Sequence, residues 1–432
     1  MISKNKLAQI ILDFKEWQAP EVMERDLPVD IDFPLNRAIT IIGPRRTGKT
    51  YLMYSVIKKL LANKISRQRI LYINFETPGF LDAEAADLES IYDVFKEINQ
   101  VKNNEKIWLF FDEIQTVQNW ETGIRSLLDK GNNKIFLTGS SSKMLSREIA
   151  TNMRGRTLSL FLLPYSFAEF LRFKAFKSAK YYSSAEENRL NSYFEQYFNF
   201  GGYPEAVIDN PDWEKIMTEI QEVTIYRDLI ERNGIRNIKA VKLMMNQLVR
   251  AKEFSVHKFY KYLTSMNIKV SKNTLYDYLE YFRDAFVFFP LYKYSPSMKS
   301  SEQSIPKIYP VDNAFLSLVS SEDKGKKLET LVFLQLLRKG FEPSKSLFYY
   351  ANGAGEVDFV IKEKDKIKQL IQVCYDTSDY NTRERELKTL LKAAEVFNCN
   401  NLLVITREQE KIERHERKQV VFLPVIKWLM EE

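Results

Sequence analysis

Cysteine and histidine are almost missing: the 432 residues hold two of each. Cys374 and Cys399 give no disulfide framework and fit a reducing compartment. His257 and His415 stand alone without metal-ligand spacing, so a histidine-built zinc site has no ligand set. Glycine and proline are scarce, 14 each, which argues against long disordered linkers. No segment approaches the roughly 18 apolar residues of a membrane span. The start, Met1-Ile2-Ser3-Lys4-Asn5-Lys6, leads into an amphipathic stretch with Asp13, Lys15 and Glu16, and it lacks the apolar core of a signal peptide. A cytoplasmic location and no membrane partner are expected. Internal repeats and low-complexity tracts are absent.

What remains is an ordinary globular balance, 45% hydrophobic and 28% charged, with many Phe and Tyr. The length calls for two or three domains. A net charge of +7 is compatible with nucleic acid, and equally with ordinary surface variation.

The most informative stretch is Gly43-Pro44-Arg45-Arg46-Thr47-Gly48-Lys49-Thr50. It matches the phosphate-cradling pattern G-x-x-x-x-G-K-S/T at every fixed position. Ala38-Ile39-Thr40-Ile41-Ile42 before it is apolar and β-branched, and Tyr51 to Ala62 after it has helical periodicity. A strand, a tight turn and a helix aim backbone N–H groups and the helix's positive end at phosphate oxygens. Gly43 and Gly48 permit the close backbone approach. Lys49 is expected to reach the β- and γ-phosphates of ATP, and Thr50 to hold Mg2+. Pro44, Arg45, Arg46, Thr47 and Tyr51 complete the expected nucleotide-binding set, with the Arg45 and Arg46 side chains facing solvent or a partner.

Ile107 to Phe111 is an apolar run that ends in Asp112 and Glu113. A buried strand of this form delivers Asp112 to the Mg2+ shell and lets Glu113 polarise a water for attack on the γ-phosphate. In-line phosphoryl transfer needs such orientation and charge neutralisation. Lys134 to Thr138 is another buried strand, followed by Gly139-Ser140-Ser141-Ser142. Thr138 or Ser140 could bond the γ-phosphate or the attacking water, unless the segment is simply a serine-rich turn. In Arg154-Gly155-Arg156 a guanidinium, with Arg156 the catalytic candidate, could stabilise transition-state charge in cis or from a neighbouring subunit. A solvated surface arginine is the other reading.

Residues 1–210 alternate apolar strands with helical stretches, and residues 1–30 form a helical extension. The strands are Ala38–Ile42, Ile70–Phe75, Ile107–Phe111, Lys134–Thr138 and Thr157–Leu162. This is the pattern of a parallel sheet with helices on both faces and ligands at its carboxyl edge. Leu163 to Phe170 starts a helix behind Pro164. Gly201-Gly202-Tyr203-Pro204-Glu205 is a turn, either a structural corner or a hinge relaying nucleotide state. Residues 211–310 are mostly helical and contain helix-turn-helix grammar. Ser255 to Thr264 is followed by a turn, by Ser271 to Phe282 opened with a Ser cap, and by Ala285 to Tyr292 as a wing. Lys272, Asn273 and Tyr276, with His257, Lys258, Lys261, Lys269 and Tyr278 nearby, could meet double-stranded DNA or serve a protein contact. Residues 311–432 return to αβ alternation. A helix covers Gly325–Lys339. Strands follow at Leu347–Tyr350, Glu356–Ile361 and Lys368–Tyr375, then a helix at Arg383–Phe397 and a strand at Asn401–Thr406. Val420–Leu423 and Val425–Met430 close the chain.

The order of these parts resembles the prokaryotic AAA-type ATPases whose C-terminal half is a domain of unknown function numbered 4143. The resemblance spans nearly the whole chain. It rests on GPRRTGKT at 43–50, FFDEIQ at 110–115, LTGSSS at 137–142, RGR at 154–156, LPYSFAEF at 163–170 and FNFGGYPE at 198–205. Tyr226-Arg227-Asp228 and Gly355-Glu356-Val357-Asp358-Phe359 extend it. It implies a protein that binds and hydrolyses ATP, with an extra strand between the strand of the phosphate loop and the strand of the Asp-Glu pair.

The last domain also looks like the restriction-endonuclease-like core, whose pattern is Glu, then Asp, then D/E-x-K. Glu329 and Asp358 fit, but Gln372 and Cys374 hold the other two positions. A neutral amide weakens metal binding and a thiol cannot supply an ammonium. A binding or scaffolding remnant is expected, with Lys368 as one nearby lysine that could substitute; Glu356 and Asp358 read equally as ordinary strand-edge acids. The expected fold class is α/β: a P-loop NTPase parallel sheet, a helical winged-helix-like region over 211–310 and a restriction-endonuclease-like α/β domain over 311–432. The expected function is an ATP-driven switch acting on DNA or a protein partner, with a homo-oligomer compatible. The alternative is a non-hydrolysing, ATP-sensing DNA-binding regulator, and behind it an ATP-dependent nuclease.

Overall fold

The computed structural model describes all residues except 1, 32, 34–35, 103, 140–152, 154, 208–211, 320–321, 354, 377–379, 416–417 and 432. Ser140, Ser141, Ser142 and Arg154, singled out above, lie outside the described residues. The chain forms two compact units, Met1–Leu163 and Pro164–Glu432.

The first unit is built on five strands: β1 (Ala38–Ile42), β2 (Ile70–Asn74), β3 (Ile107–Asp112), β4 (Asn133–Gly139) and β5 (Thr157–Phe161). Their order is β2-β3-β4-β1-β5, and every neighbouring pair is parallel. β1 and β3 are buried at every position, because a covered parallel sheet has no wet face to accept polar alternation. Helices α1 (Lys4–Glu16), α2 (Lys49–Ala62), α3 (Ala85–Asn99) and α4 (Trp120–Asp129) accompany the sheet. β4 lies between β1 and β3, the extra strand the resemblance implies. Since all strands point one way, the phosphate loop, Asp112-Glu113 and Thr138 emerge at one edge.

The second unit opens with α5 (Phe167–Phe173), capped by Ser166. Glu169 N donates to Ser166 Oγ at 3.0 Å, and Ser166 N donates to Glu169 Oε2 at 2.8 Å. This reciprocal box satisfies two backbone donors that the helix itself cannot. Next, α6 (Ser184–Phe200) runs into Gly201-Gly202. That turn is a corner within the unit. Gly202 N donates to Asp312 Oδ2 at 2.9 Å, Ala314 N donates to Oδ1 at 2.8 Å, and Tyr165 N donates to Gly202 O at 2.8 Å. These ties explain why the unit begins at Pro164, upstream of the change in composition near residue 210.

The helix Trp213–Val223 continues into eight π-helical residues, Thr224–Glu231, and Ile238–Arg250 follows. α7 (Val256–Ser265) and α8 (Lys272–Asp284) are the two expected helices, and the expected strand is β6 (Phe288–Leu291). β6 pairs antiparallel with β7 (Lys307–Pro310), a strand without counterpart in the sequence reading. The remaining strands form a mixed sheet in the order β12-β13-β11-β10-β9-β8. They are β8 (Leu347–Asn352), β9 (Gly355–Glu363), β10 (Lys366–Cys374), β11 (Leu402–Thr406), β12 (Lys411–His415) and β13 (Lys418–Pro424). β10, β11 and β13 run parallel, and the outer pairs are antiparallel. α9 (Lys324–Arg338) packs against β10, and α10 (Tyr380–Val396) against β9 and β10. Among the described residues no helix is long and apolar enough to cross a membrane.

Gly201 has φ of 73°, and a Cβ there would stand 1.6 Å from Asp312 Oδ1. Gly201→Ala is expected to cost the second unit at least about 2 kcal/mol. Urea unfolding reads this as a lowered midpoint of that unit's transition; an unchanged midpoint would show that the corner yields freely.

Candidate functional site

β1 ends at Ile42 and α2 starts at Lys49. Between them Arg46 takes φ of 60°, and Gly48, the N-cap of α2, takes φ of 92°. Gly43 fits closely against the end of β5: a Cβ would lie 2.2 Å from the Leu162 carbonyl oxygen. Leu162 N in turn donates to Ile42 O at 2.8 Å. Thr47 Oγ1 donates to Pro44 O at 2.9 Å. Lys49, 5% exposed, donates from Nζ to Gly43 O at 3.1 Å and to Pro44 O at 2.8 Å. Arg25 donates to Thr47 O at 2.8 Å and to Leu163 O at 2.7 Å, tying the loop to the end of the unit. The first-turn N–H groups of α2 and the Lys49 ammonium therefore lie together at a helix start, an arrangement suited to anionic oxygens.

Asp112 ends β3 and is fully buried. Three hydroxyls donate to it: Thr138 to Oδ1, and Thr50 and Tyr72 to Oδ2 at 2.8 Å each. Thr138 Oγ1 also accepts from Glu113 N at 2.9 Å. Burial pushes the Asp112 carboxyl above its ordinary range; the Thr138 bond opposes this, Glu113 adds to it, and the Thr50 and Tyr72 bonds oppose it again. Burial, and then Asp112 itself, pushes the Tyr72 phenol far up, so it stays a donor. Glu113 has φ of 52°, and its Oε2 accepts from Gln115 Nε2. Thr50 and Asp112 present adjoining side-chain oxygens, the donor type that hard Mg2+ takes, so the residues present fit that ion.

Residues 35–171 match the family described as AAA domain, and residues 324–426 match the domain of unknown function DUF4143. Residues 191–325 match another domain of unknown function, DUF8612. An uncharacterized protein of Methanocaldococcus jannaschii, MJ1544, is 40% identical across 99% of this chain and 96% of its own length. The chain belongs to the AAA-type ATPases with a C-terminal DUF4143 domain. A second relative of this AAA/DUF4143 protein, an uncharacterized protein of Haemophilus influenzae, is 28% identical across 100% of this chain and 99% of its own. Among solved structures, the Walker-type ATPase of Pyrococcus abyssi is similar at 14% identity over 74% of this chain and 96% of that one, with a TM-score of 0.42. At that score the similarity adds nothing to the family match.

The AAA/DUF4143 protein brings Gly43 to Thr50, Asp112, Glu113 and Thr138 to one sheet edge. Tyr51, on α2 directly after the loop, is 55% exposed, with its ring 5.7 Å from Tyr54. Arg45 approaches Glu76 at 3.9 Å. Arg156 requires a correction. Its carbonyl accepts from Ala38 N, the first residue of β1, and its guanidinium pairs with Asp129 at the end of α4. That is the amino-terminal edge of the sheet, a five-residue strand or about 16 Å from the loop. Arg156 therefore does not serve the phosphate loop of its own chain. Tyr72 and Arg25 join the site without having been foreseen. Tyr72 carried one weak signal, a phenol between the aliphatic residues Leu71 and Ile73.

In the second unit Glu329 of α9 and Asp358 of β9 do meet, but around a lysine from β7. Lys307, 1% exposed, places Nζ 2.8 Å from Glu329, 2.5 Å from Glu356 and 3.0 Å from Asp358. Tyr309 OH donates to Glu329 Oε1 at 2.6 Å. Burial by itself would lower the Lys307 ammonium; Glu329, Tyr309, Asp358 and Glu356 outweigh it and hold the group well above its usual value. Lys368, named above as one nearby lysine that could substitute, pairs with Glu363 at the surface. Gln372 Oε1 accepts from Asp358 N at 3.4 Å, and burial pushes the Cys374 thiol up to about 12, so the thiol stays neutral. Among the described residues no group of three His, Cys, Asp or Glu is placed to hold a metal ion. With the Lys307 ammonium already held between its carboxylates, the cluster does not fit the metal of a nuclease.

Lys307→Met would strand three carboxylates, two of them deeply buried. The expected loss is about 3–5 kcal/mol, measured by denaturant unfolding of the second unit. Lys368→Met is the control and should leave the midpoint nearly unchanged. Equal effects of the two would show that the buried cluster has no special weight.

Proposed function

We propose that this protein binds ATP with Mg2+ at the phosphate loop, hydrolyses it, and uses its second unit to pass nucleotide state to double-stranded DNA or a protein partner. The observation that carries this reading is the 2.8 Å contact between Thr50 Oγ1 and Asp112 Oδ2, with Lys49 beside one residue and Glu113 next to the other. The backbone of residues 43–50 and the Lys49 ammonium hold the β- and γ-phosphates. Thr50 would hold Mg2+ directly and Asp112 through water. When bound, the metal would neutralise the charge that develops during transfer. Glu113 orients the attacking water and takes its proton. Thr138 fixes both acids, one through its carboxylate and the other through its backbone N–H.

Lys49→Ala is expected to abolish the heat of binding in calorimetric titration with Mg-ATP. Glu113→Gln should bind nucleotide normally and lose at least about 100-fold in phosphate release. Equal release by wild type and Glu113→Gln would remove Glu113 as the base. One observation favours a second reading, a non-hydrolysing sensor: Gln115 Nε2 already holds Glu113 Oε2. Tight ATP binding with no phosphate release, with or without duplex DNA, selects it.

Support for DNA as the partner comes from α8. Ser271 caps this helix, with Thr274 N donating to its Oγ at 3.0 Å. Lys272, Asn273 and Tyr276 are exposed on it, as are Lys258, Lys261 and Lys269 before it, whereas Tyr278 is buried. Exposed cations interleaved with an aromatic suit phosphate and base contact. Replacing Lys272 by Ala should weaken duplex binding and reduce the salt dependence by about one counterion. An unchanged salt slope points to a protein partner instead.

A further inference from the structure

The aromatic cluster beneath Asp112 has no place in the phosphate chemistry described so far. Asp112 Oδ1 takes the Thr138 hydroxyl, and Oδ2 takes both Thr50 and Tyr72. Thr50 is also the hydroxyl the metal requires. Once Thr50 turns to Mg2+, Tyr72 is the donor left on Oδ2, and Thr138 the one on Oδ1. The carboxylate then stays clamped at both oxygens.

Tyr72 is itself held. Tyr54 OH donates to Tyr72 OH at 3.2 Å. Tyr54 lies four residues after Thr50 on α2, so one helix face reaches Asp112 twice, directly and through Tyr72. The other side comes from the N-terminal segment. The Trp17 ring stacks on Tyr72 with centroids 6.0 Å apart and an interplanar angle of 11°, and it lies 4.8 Å from Tyr54. Phe14 of α1 packs 6.3 Å from Tyr72. Arg67 fixes both rings through their own backbone, donating from Nη2 to Phe14 O at 2.8 Å and to Trp17 O.

We infer that Tyr72 is a positioning residue for the metal-holding carboxylate, and that the N-terminal segment, through Trp17, is the buttress that keeps it there. This rests on the Mg-ATP reading of the loop. It makes α1 and the residues just after it part of the metal site, although none of them reaches the phosphate loop through these contacts.

The test uses the full chain saturated with a non-hydrolysable ATP analogue, with Mn2+ uptake followed by electron paramagnetic resonance. Analogue binding without metal is measured in parallel by calorimetry in chelator. Tyr72→Phe keeps the packed ring and removes only the hydroxyl. The expected result is unchanged metal-free analogue binding and about a tenfold rise in the Mn2+ concentration for half-saturation, the effect of one hydrogen bond to a charged group. Trp17→Ala should shift Mn2+ in the same direction by less. A purely structural role would lower the unfolding midpoint and metal-free binding together and leave Mn2+ affinity in place. Superimposed Mn2+ curves for wild type and Tyr72→Phe overturn the positioning role while leaving nucleotide binding intact. A shift with Tyr72→Phe but none with Trp17→Ala overturns the buttress. Failure of the wild type to take up the analogue overturns the nucleotide reading and the inference together.

Discussion

A buried carboxylate, Asp112, is the constraint on which the first unit turns. An ionised group removed from water costs several kcal/mol unless it is met by donors. Here the donors come from three different elements: Thr50 from α2, Tyr72 from β2 and Thr138 from β4. Each can reach only if its strand or helix sits in the observed register. β2 must pair with β3 so that Asn74 stands opposite Asp112, which puts Tyr72 on the diagonal. β4 must lie beside β3 rather than beyond β1. One charge thus couples sheet order to the geometry of the phosphate loop.

The second unit solves the same problem with the opposite sign. There the chain surrounds a buried ammonium with acids, and Lys307 stands between Glu329, Glu356 and Asp358. At Asp112 the donors are neutral hydroxyls and Glu113 adds a further negative charge nearby. Among the described residues, the first arrangement holds no cation of the chain's own between its acids, and the second does. This difference, and not the overall sheet, separates a site suited to metal from a cluster that serves the fold.

Much of the first unit was legible because its signals are local. A β-branched strand, a glycine turn and a helical period sit side by side over 38–62, and the run ending in Asp112-Glu113 is equally compact. The parallel sheet followed from strands apolar throughout. What sequence could not supply was the third dimension. Arg156 follows the other motif segments in chain order, but order does not say at which end of a strand a residue stands, and it stands at the end away from the phosphate loop of its own chain. Tyr72 acquires its role only through pairing between β2 and β3. In the second unit, Glu329 and Asp358 were found as a pair, yet their partner Lys307 lies on a four-residue strand too short to announce itself. The end of the first unit was hidden as well, because the helices after Leu163 resemble those before it, and long-range bonds such as those to Asp312 assign them.

The seat of Gly43 against Leu162 bears on how the protein is made. Arg25, which joins the loop to Leu163, stands 138 positions before it. During synthesis the loop leaves the ribosome long before β5, so its final shape must wait for the last strand of the unit. A nascent chain halted short of residue 162 would carry the whole loop motif without the backbone that seats Gly43.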